Sequence, residues 1–335
     1  MRIIICGFGV VGQSLAKLIE SRSEDLYARY GIKARIVGVA DSGGSATDPS
    51  GLDPERLVAA KKAGSVRGYP GAGGGLTGGE LIEGLDADVM IETTVSDYTN
   101  AEPGTAHITG AMGRGMHVIS VNKGPLALSF PSLTELAEYN RVMLRFSGTV
   151  GGGTPILDFA KKSLRGERIT SFAGILNGTT NYILTGMAGG SSYEEALADA
   201  KGRGYVERNE ALDLDGLDAA AKLVILANWV MGMKVTLGDV DRTGIRNVDT
   251  GDIREAAAAG SAVKLVATCD GGLRVAPERI PVGDPLCVDG TLNAVAFTSE
   301  HSGTQTIIGR GAGGIETASS IIRDLLDIRA GMARE

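Results

Sequence analysis

Six residues near the start constrain this chain more than any other feature. Gly7-Phe8-Gly9-Val10-Val11-Gly12 follows the short apolar run of residues 2–6, and residues 10–20 continue with helical spacing. Strand, glycine turn and helix in that order open a βαβ unit. In a GxGxxG pattern the first glycine permits the tight turn, the second lets backbone approach a pyrophosphate, and the third allows helix and strand to pack closely. A plain glycine turn can carry the same letters, but the setting between strand and helix makes a dinucleotide site the better reading. Gly7, Phe8, Gly9, Val10, Val11 and Gly12 are the expected cofactor contacts.

A second apolar run, residues 34–40, ends at Asp41, where an acidic side chain usually takes the ribose hydroxyls and repels a 2′-phosphate. That favours NAD. The gap from Gly12 is longer than the usual ~20 residues, and Ser42, Lys61, Lys62 and Arg67 are near enough to meet a phosphate, so NADP stays open. Residues 89–92 and 118–121 read as further buried strands, and Thr93 and Thr94 after the first and Lys123 after the second are expected beside the cofactor. Strands alternating with helices predict an α/β fold, a Rossmann-type doubly wound parallel sheet. Residues 42–79 are rich in glycine and serine and read as a long mobile excursion near the nucleotide, holding one helix at residues 54–63 with Asp53 as its cap and Pro54 at its first position.

After Gly153 the pattern changes. Residues 156–163, 193–202 and 217–231 read as helices, and residues 169–176 and several stretches between 263 and 297 as strands. This mixed order predicts a second, α+β domain for substrate binding and dimerisation. Residues 306–331 read as a strand, a glycine turn and a closing helix that returns to the first domain. The expected division is therefore residues 1–152 completed by 303–335 for the NAD(P)-binding domain, and 153–302 for the catalytic and dimerisation domain.

Composition narrows the partners. Hydrophobic residues at 43% and charged residues at 22% are ordinary for a globular protein, so the 50 glycines need local explanations and do not indicate disorder. A net charge of −7 without a long Lys/Arg run gives no footprint for nucleic acid or an anionic membrane. No apolar run reaches the ~18 residues of a membrane span, because Lys222 interrupts the longest one. Cys6, Cys269 and Cys287 are far apart and form no CxxC, which argues against a disulfide framework or a zinc site and for a reducing, cytoplasmic setting.

Proton transfer needs a donor. His107, His117 and His301 are the three histidines, and none has an obvious carboxylate beside it in sequence, so each reads as structural. Lysine can serve when its surroundings tune it. Lys123 follows the strand of residues 118–121 and so falls at the C-terminal edge of the sheet, where open α/β proteins bind ligands; a solvated surface lysine is the plain alternative. Lys222 comes four residues after Asp218 on one helix face, with Asp213 just upstream. A surface ion pair is the plain alternative here too, but the helix is apolar nearly all round, and an embedded Asp/Lys pair needs a purpose.

Taken together, several segments resemble homoserine dehydrogenases. They are Val121-Asn122-Lys123-Gly124-Pro125, Thr149-Val150-Gly151-Gly152-Gly153-Thr154-Pro155, Leu176-Asn177-Gly178-Thr179-Thr180-Asn181-Tyr182-Ile183, and Gly204-Tyr205-Val206-Glu207 followed by residues 213–222. The resemblance runs in order through nearly the whole chain and is to a short form without a regulatory or aspartate kinase domain. It implies NAD(P)-dependent interconversion of L-aspartate 4-semialdehyde and L-homoserine by a homodimer. It further implies that Lys222 and Lys123 donate and relay the proton with Asp218 beside them, and that Glu207, Asp218 and Asp213 hold the amino-acid substrate, Thr179 meeting its polar end unless it serves as a helix cap. Gly204 and the C-terminal Gly311 and Gly313 are expected beside the cofactor. The family often holds a monovalent cation on backbone carbonyls, here those of Val150, Gly152 and Thr154, together with a glutamate whose position is occupied by Ser147.

Two other readings compete. A related semialdehyde dehydrogenase would need a nucleophilic cysteine in a strand-to-helix setting. A nucleotide-sensing module without activity would have no use for Lys123, Glu207, Asp218 and Lys222 together.

Overall fold

Ile3, Ile4 and Ile5 are wholly buried in β1 (Arg2–Cys6), because a parallel strand covered on both faces must be apolar on both. β1 sits inside a seven-stranded sheet with β2 (Arg35–Asp41), β3 (Gly44–Thr47), β4 (Gly73–Gly74), β5 (Val89–Glu92), β6 (His117–Ser120) and β7 (Leu144–Arg145), in the order β4-β3-β2-β1-β5-β6-β7. β1 runs parallel to β2 and β5, and β5, β6 and β7 continue in parallel. The predicted Rossmann-type sheet is therefore present. Described here, in a computed structural model, are residues 1–206 and 209–333.

Residues 42–79 differ from the expectation. They add β3 and β4 as an antiparallel extension of the sheet, and the helix Pro54–Lys62 buries Leu57, Val58 and Ala60. Asp53 caps that helix by accepting the Arg56 N–H at 2.9 Å, as its sequence indicated. Glycine-rich composition hid a folded segment, since Ala46 and Val66 are themselves core residues.

The chain forms two compact units, Met1–Thr149 with Gly313–Glu335, and Val150–Ala312. The helix Gly314–Met332 belongs to the first, placing Ala318, Ile321, Ile322, Leu325 and Ile328 in one core with Leu15, Ala16 and Ile19 of the helix Val10–Ser21. The return to this unit begins at Gly313 and not at residue 303. The intervening strand pairs along its whole length inside the other sheet, from Leu292↔Arg310 to Ser299↔Gly303.

The second unit has a six-stranded sheet made of β8 (Ile169–Ile175), β9 (Asp241–Arg242), β10 (Ser261–Cys269), β11 (Leu273–Pro281), β12 (Leu292–Ser299) and β13 (Gly303–Arg310), ordered β13-β12-β8-β10-β11-β9. All its pairings are antiparallel except β11 with β9. The helix Leu217–Met231 is buried continuously from Ala219 to Asn228, so its apolar composition on every side reflects enclosure. The predicted helix at residues 156–163 is a single short turn, Ile156–Asp158, running into a π-helical turn, Phe159–Ser163. Among the described residues no helix is long and apolar enough to cross a membrane.

Candidate active site

In the first unit the glycine fingerprint lies where the ends of three strands meet. Gly7 donates to the Ala40 carbonyl at 2.9 Å, and Thr93 donates its N–H to Cys6 at 2.7 Å and its hydroxyl to Gly7 at 2.5 Å. Gly7 has φ +91°, and a Cβ there would stand 2.6 Å from the Thr93 carbonyl, so only glycine serves. Gly9 faces open space, whereas a Cβ on Gly12 would meet the Gly7 carbonyl at 2.8 Å. The helix Val10–Ser21 begins with no capping side chain, leaving first-turn N–H groups for an anion such as a pyrophosphate. Phe8 is 1% exposed and its ring is in the core, so what it offers a ligand is backbone; Val10 is exposed. Gly313 also comes to this turn, since a Cβ on the adjoining Gly314 would lie 2.5 Å from the Val10 side chain. Gly204 and Gly311 belong to the second unit.

Asp41 ends β2 as expected, yet its carboxylate is already fully engaged. Lys61 Nζ lies 2.6 Å from one oxygen, which also accepts the Val66 N–H at 3.2 Å; the other accepts the Ser65 hydroxyl and the Gly43 N–H, both at 2.8 Å. Burial raises the Asp41 carboxyl, but the bonds from Lys61, Ser65 and the two backbone N–H groups outweigh it and hold the group below its ordinary value. A carboxylate neutralised in this way repels a 2′-phosphate less than a bare one, which removes the sequence preference for NAD. Lys123 opens the helix Lys123–Tyr139 at the C-terminal edge of β6, and its N–H donates to the Ser96 hydroxyl at 3.0 Å.

In the second unit the structure brings Asp213, Asp218 and Lys222 together. Lys222, 7% exposed, places Nζ 2.6 Å from Asp218 and donates to the Leu176 carbonyl at 2.7 Å. Asn177, to which the sequence assigned no role, joins the two acids: its Nδ2 donates to Asp213 at 2.7 Å and to Asp218 at 3.0 Å. Its Oδ1 accepts the Thr180 N–H at 2.9 Å and so caps the helix Gly178–Ala188. An Asn directly before an apolar helical run was the available signal. Thr179 is therefore not the cap, and its hydroxyl donates to the Tyr205 carbonyl at 2.7 Å. That bond, with the Tyr182 and Tyr205 rings edge to face at 4.9 Å, fixes the segment before residue 207. Glu207 itself lies outside the described residues. Asp215, within the same acidic run, faces outward and pairs with Arg246.

Of the residues expected at a cation, Ser147 stands at the acidic position, and its hydroxyl and N–H both donate to Asp324, at 2.6 and 3.0 Å. Val150, Gly152 and Thr154 offer backbone carbonyls, that of Thr154 accepting the Ile156 N–H at 2.8 Å.

The cysteine alternative also fails on chemistry. Burial pushes all three thiols up, Cys6 furthest, so none is a ready nucleophile. His107 corrects the sequence reading, because it has a carboxylate partner: Glu92, from β5, lies 2.7 Å from Nδ1. His117 Nδ1 accepts the Met143 N–H at 3.0 Å and His301 is exposed.

Comparison with known proteins agrees with this geometry. The homoserine dehydrogenase family pattern matches residues 155–326, and that of the homoserine dehydrogenase NAD binding domain matches residues 7–147. The homoserine dehydrogenase of Methanocaldococcus jannaschii is 41% identical over 98% of each chain. The NAD(+)-dependent homoserine dehydrogenase of Pseudomonas canavaninivorans is 36% identical over 100% of this chain and 97% of its own. Among solved structures, a hyperthermophilic archaeal homoserine dehydrogenase in complex with NADPH has a TM-score of 0.86 at 28% identity, covering 98% of each chain. With both domains matched and nearly the full length aligned, the chain belongs to the homoserine dehydrogenase family.

Proposed function

We infer that this oxidoreductase interconverts L-aspartate 4-semialdehyde and L-homoserine with NAD(P), a step toward threonine and methionine, and that Lys222 is its proton donor. The observation that carries the assignment is the state of Lys222 Nζ. Of the three N–H bonds of an ammonium, Asp218 and the Leu176 carbonyl take two. The third is available to a substrate oxygen, and the amine is held in place by the other two.

When bound, the nicotinamide supplies or accepts the hydride at its C4. The residues of the chain manage the rest. In the reducing direction Lys222 gives its proton to the oxygen of the aldehyde as that oxygen gains charge, and in the oxidising direction the deprotonated amine takes the hydroxyl proton back. Asp218 holds the amine in place for the transfer. Glu207 and Asp213 suit the ammonium group of the amino-acid substrate, and Asn177 holds the Asp213 and Asp218 carboxylates in one arrangement despite their like charge. Lys123, in the first turn of its helix at the C-terminal edge of β6, is the second lysine that the family resemblance offers for relaying the proton. Gly7, Gly9, Gly12 and Gly313 admit the cofactor, and Thr93 fixes the turn that does so.

Purified protein is mixed with L-homoserine and NAD or NADP separately at alkaline pH, and the reduced-nicotinamide absorbance is followed. Growth that is lost in Lys222→Ala while cofactor still binds supports the reading; no growth with either cofactor rejects it. The resemblance also supports a homodimer, which a monomer mass in sedimentation at working concentration would reject. Cytoplasmic residence is supported by three free cysteines and is checked by fractionation.

A further inference from the structure

Cys6, Glu92 and His107 of the first unit have no part in the reaction as described. Cys6 ends β1 opposite Glu92 in register, His107 is in the helix Gly104–Gly113, and one donor atom from each lies within 4.8 Å of the others. Glu92 is 0% and His107 7% exposed. A thiol, a carboxylate and an imidazole can hold a metal, but here the carboxylate and the imidazole pair with each other. One Glu92 oxygen meets His107 Nδ1 at 2.7 Å, and the other accepts the Thr94 N–H at 2.7 Å and the Thr94 hydroxyl. Burial, and then the Glu92 charge, keep the Cys6 thiol protonated.

A buried carboxylate is costly unless paired, so a pair kept at this depth has something to hold. The Thr94 hydroxyl that donates to Glu92 accepts in turn from Asn122 Nδ2 at 3.1 Å. Asn122 Oδ1 accepts the Gly124 N–H at 3.0 Å and caps the helix that Lys123 opens. The donors point one way, from Asn122 through Thr94 to Glu92, and His107 closes the series from the far side; such aligned bonds reinforce each other. Room for the ring is kept by Gly78, where a Cβ would lie 2.5 Å from Nε2.

We propose that Glu92 and His107 are positioning residues: the buried pair anchors Thr94 and Asn122 and thereby fixes the geometry of Lys123 in the first turn of its helix. The consequence for turnover rests on the role given to Lys123 above, whereas the positioning concerns this unit alone. Two readouts separate them. Lys123 reactivity is measured by competitive acetylation with acetic anhydride and peptide mass spectrometry, and kcat by L-homoserine oxidation. His107→Leu changes Lys123 acetylation about threefold or more and lowers kcat about tenfold, with NADPH affinity within about twofold of the parent, because the anchor is lost and the glycine turn is not. His107→Asn, whose amide nitrogen takes the place of Nδ1 toward Glu92, restores both. Thr94→Val cuts the same series one link on and reproduces the His107→Leu acetylation, and the double variant adds nothing further. Unchanged acetylation in His107→Leu and Thr94→Val, or Asn no better than Leu, overturns the proposal. If His107→Leu does not fold, Thr94→Val decides. If the parent protein does not oxidise homoserine, the functional reading fails and acetylation alone decides the positioning.

Discussion

Two lysine–aspartate pairs in this chain have the same contact distance and opposite surroundings. Lys61–Asp41 in the first unit and Lys222–Asp218 in the second both close at 2.6 Å. Asp41 collects Ser65 and two backbone N–H groups as well, so its acceptor positions are filled by its own fold. Asp218 shares the Asn177 donor with a second carboxylate, and its lysine is tied to a backbone carbonyl. The first pair is closed and cancels its own charge within its unit. The second sets a buried lysine beside two linked carboxylates, an arrangement suited to chemistry.

The largest expected effect tests the open pair. Lys222→Ala lowers kcat by about a thousandfold, the range of a lost general acid, while NAD(P)H affinity by fluorescence titration stays unchanged. A loss under tenfold would place both pairs in the same structural class. Next, Asn177→Ala removes the donor shared by Asp213 and Asp218 and lowers kcat/KM about tenfold. A kcat/KM within about twofold of the parent would deny Asn177 its part.

Smaller effects probe the closed pair. Lys61→Ala exposes the Asp41 charge and weakens NADPH about tenfold but NADH less than about threefold, measured by titration of each. Equal losses would mean that the pair is remote from the 2′ position. Smallest is the effect on acid stability. The folded Asp41 carboxyl lies below its ordinary value, so its contribution is complete above the unfolded value of ~3.9 and is lost as pH falls through the lowered folded one. Asp41→Asn therefore costs about 1 kcal/mol at neutral pH and less toward pH ~3, read from urea unfolding at the two values.

The same contrast explains what the sequence could reveal. Lys222 and Asp218 are four residues apart on a helix, so periodicity alone puts them together, and the apolar residues around them foretell burial. Lys61 meets Asp41 across twenty positions through a sheet extension built from residues whose glycine content resembled a loop. Glu92 and His107 likewise meet only because a strand and the next helix cross, which no local pattern encodes. Asn177 was visible as a cap but not as a bridge, since its second function depends on where residues 213 and 218 arrive. Strand β13 was read correctly as a strand, and its sheet was not legible, because an alternating strand carries no label for its partner.

The helix Gly314–Met332 gives the first unit a history as well as a core. During synthesis the glycine turn and its strands leave the ribosome first, while the apolar face formed by Leu15, Ala16 and Ile19 waits for Ile321, Ile322, Leu325 and Ile328. A nascent chain that has reached only Ala312 carries the whole fingerprint and still exposes the face of the core that Ala318, Ile321, Ile322, Leu325 and Ile328 cover. A chain arrested before that helix presents the bare face to chaperones and proteases.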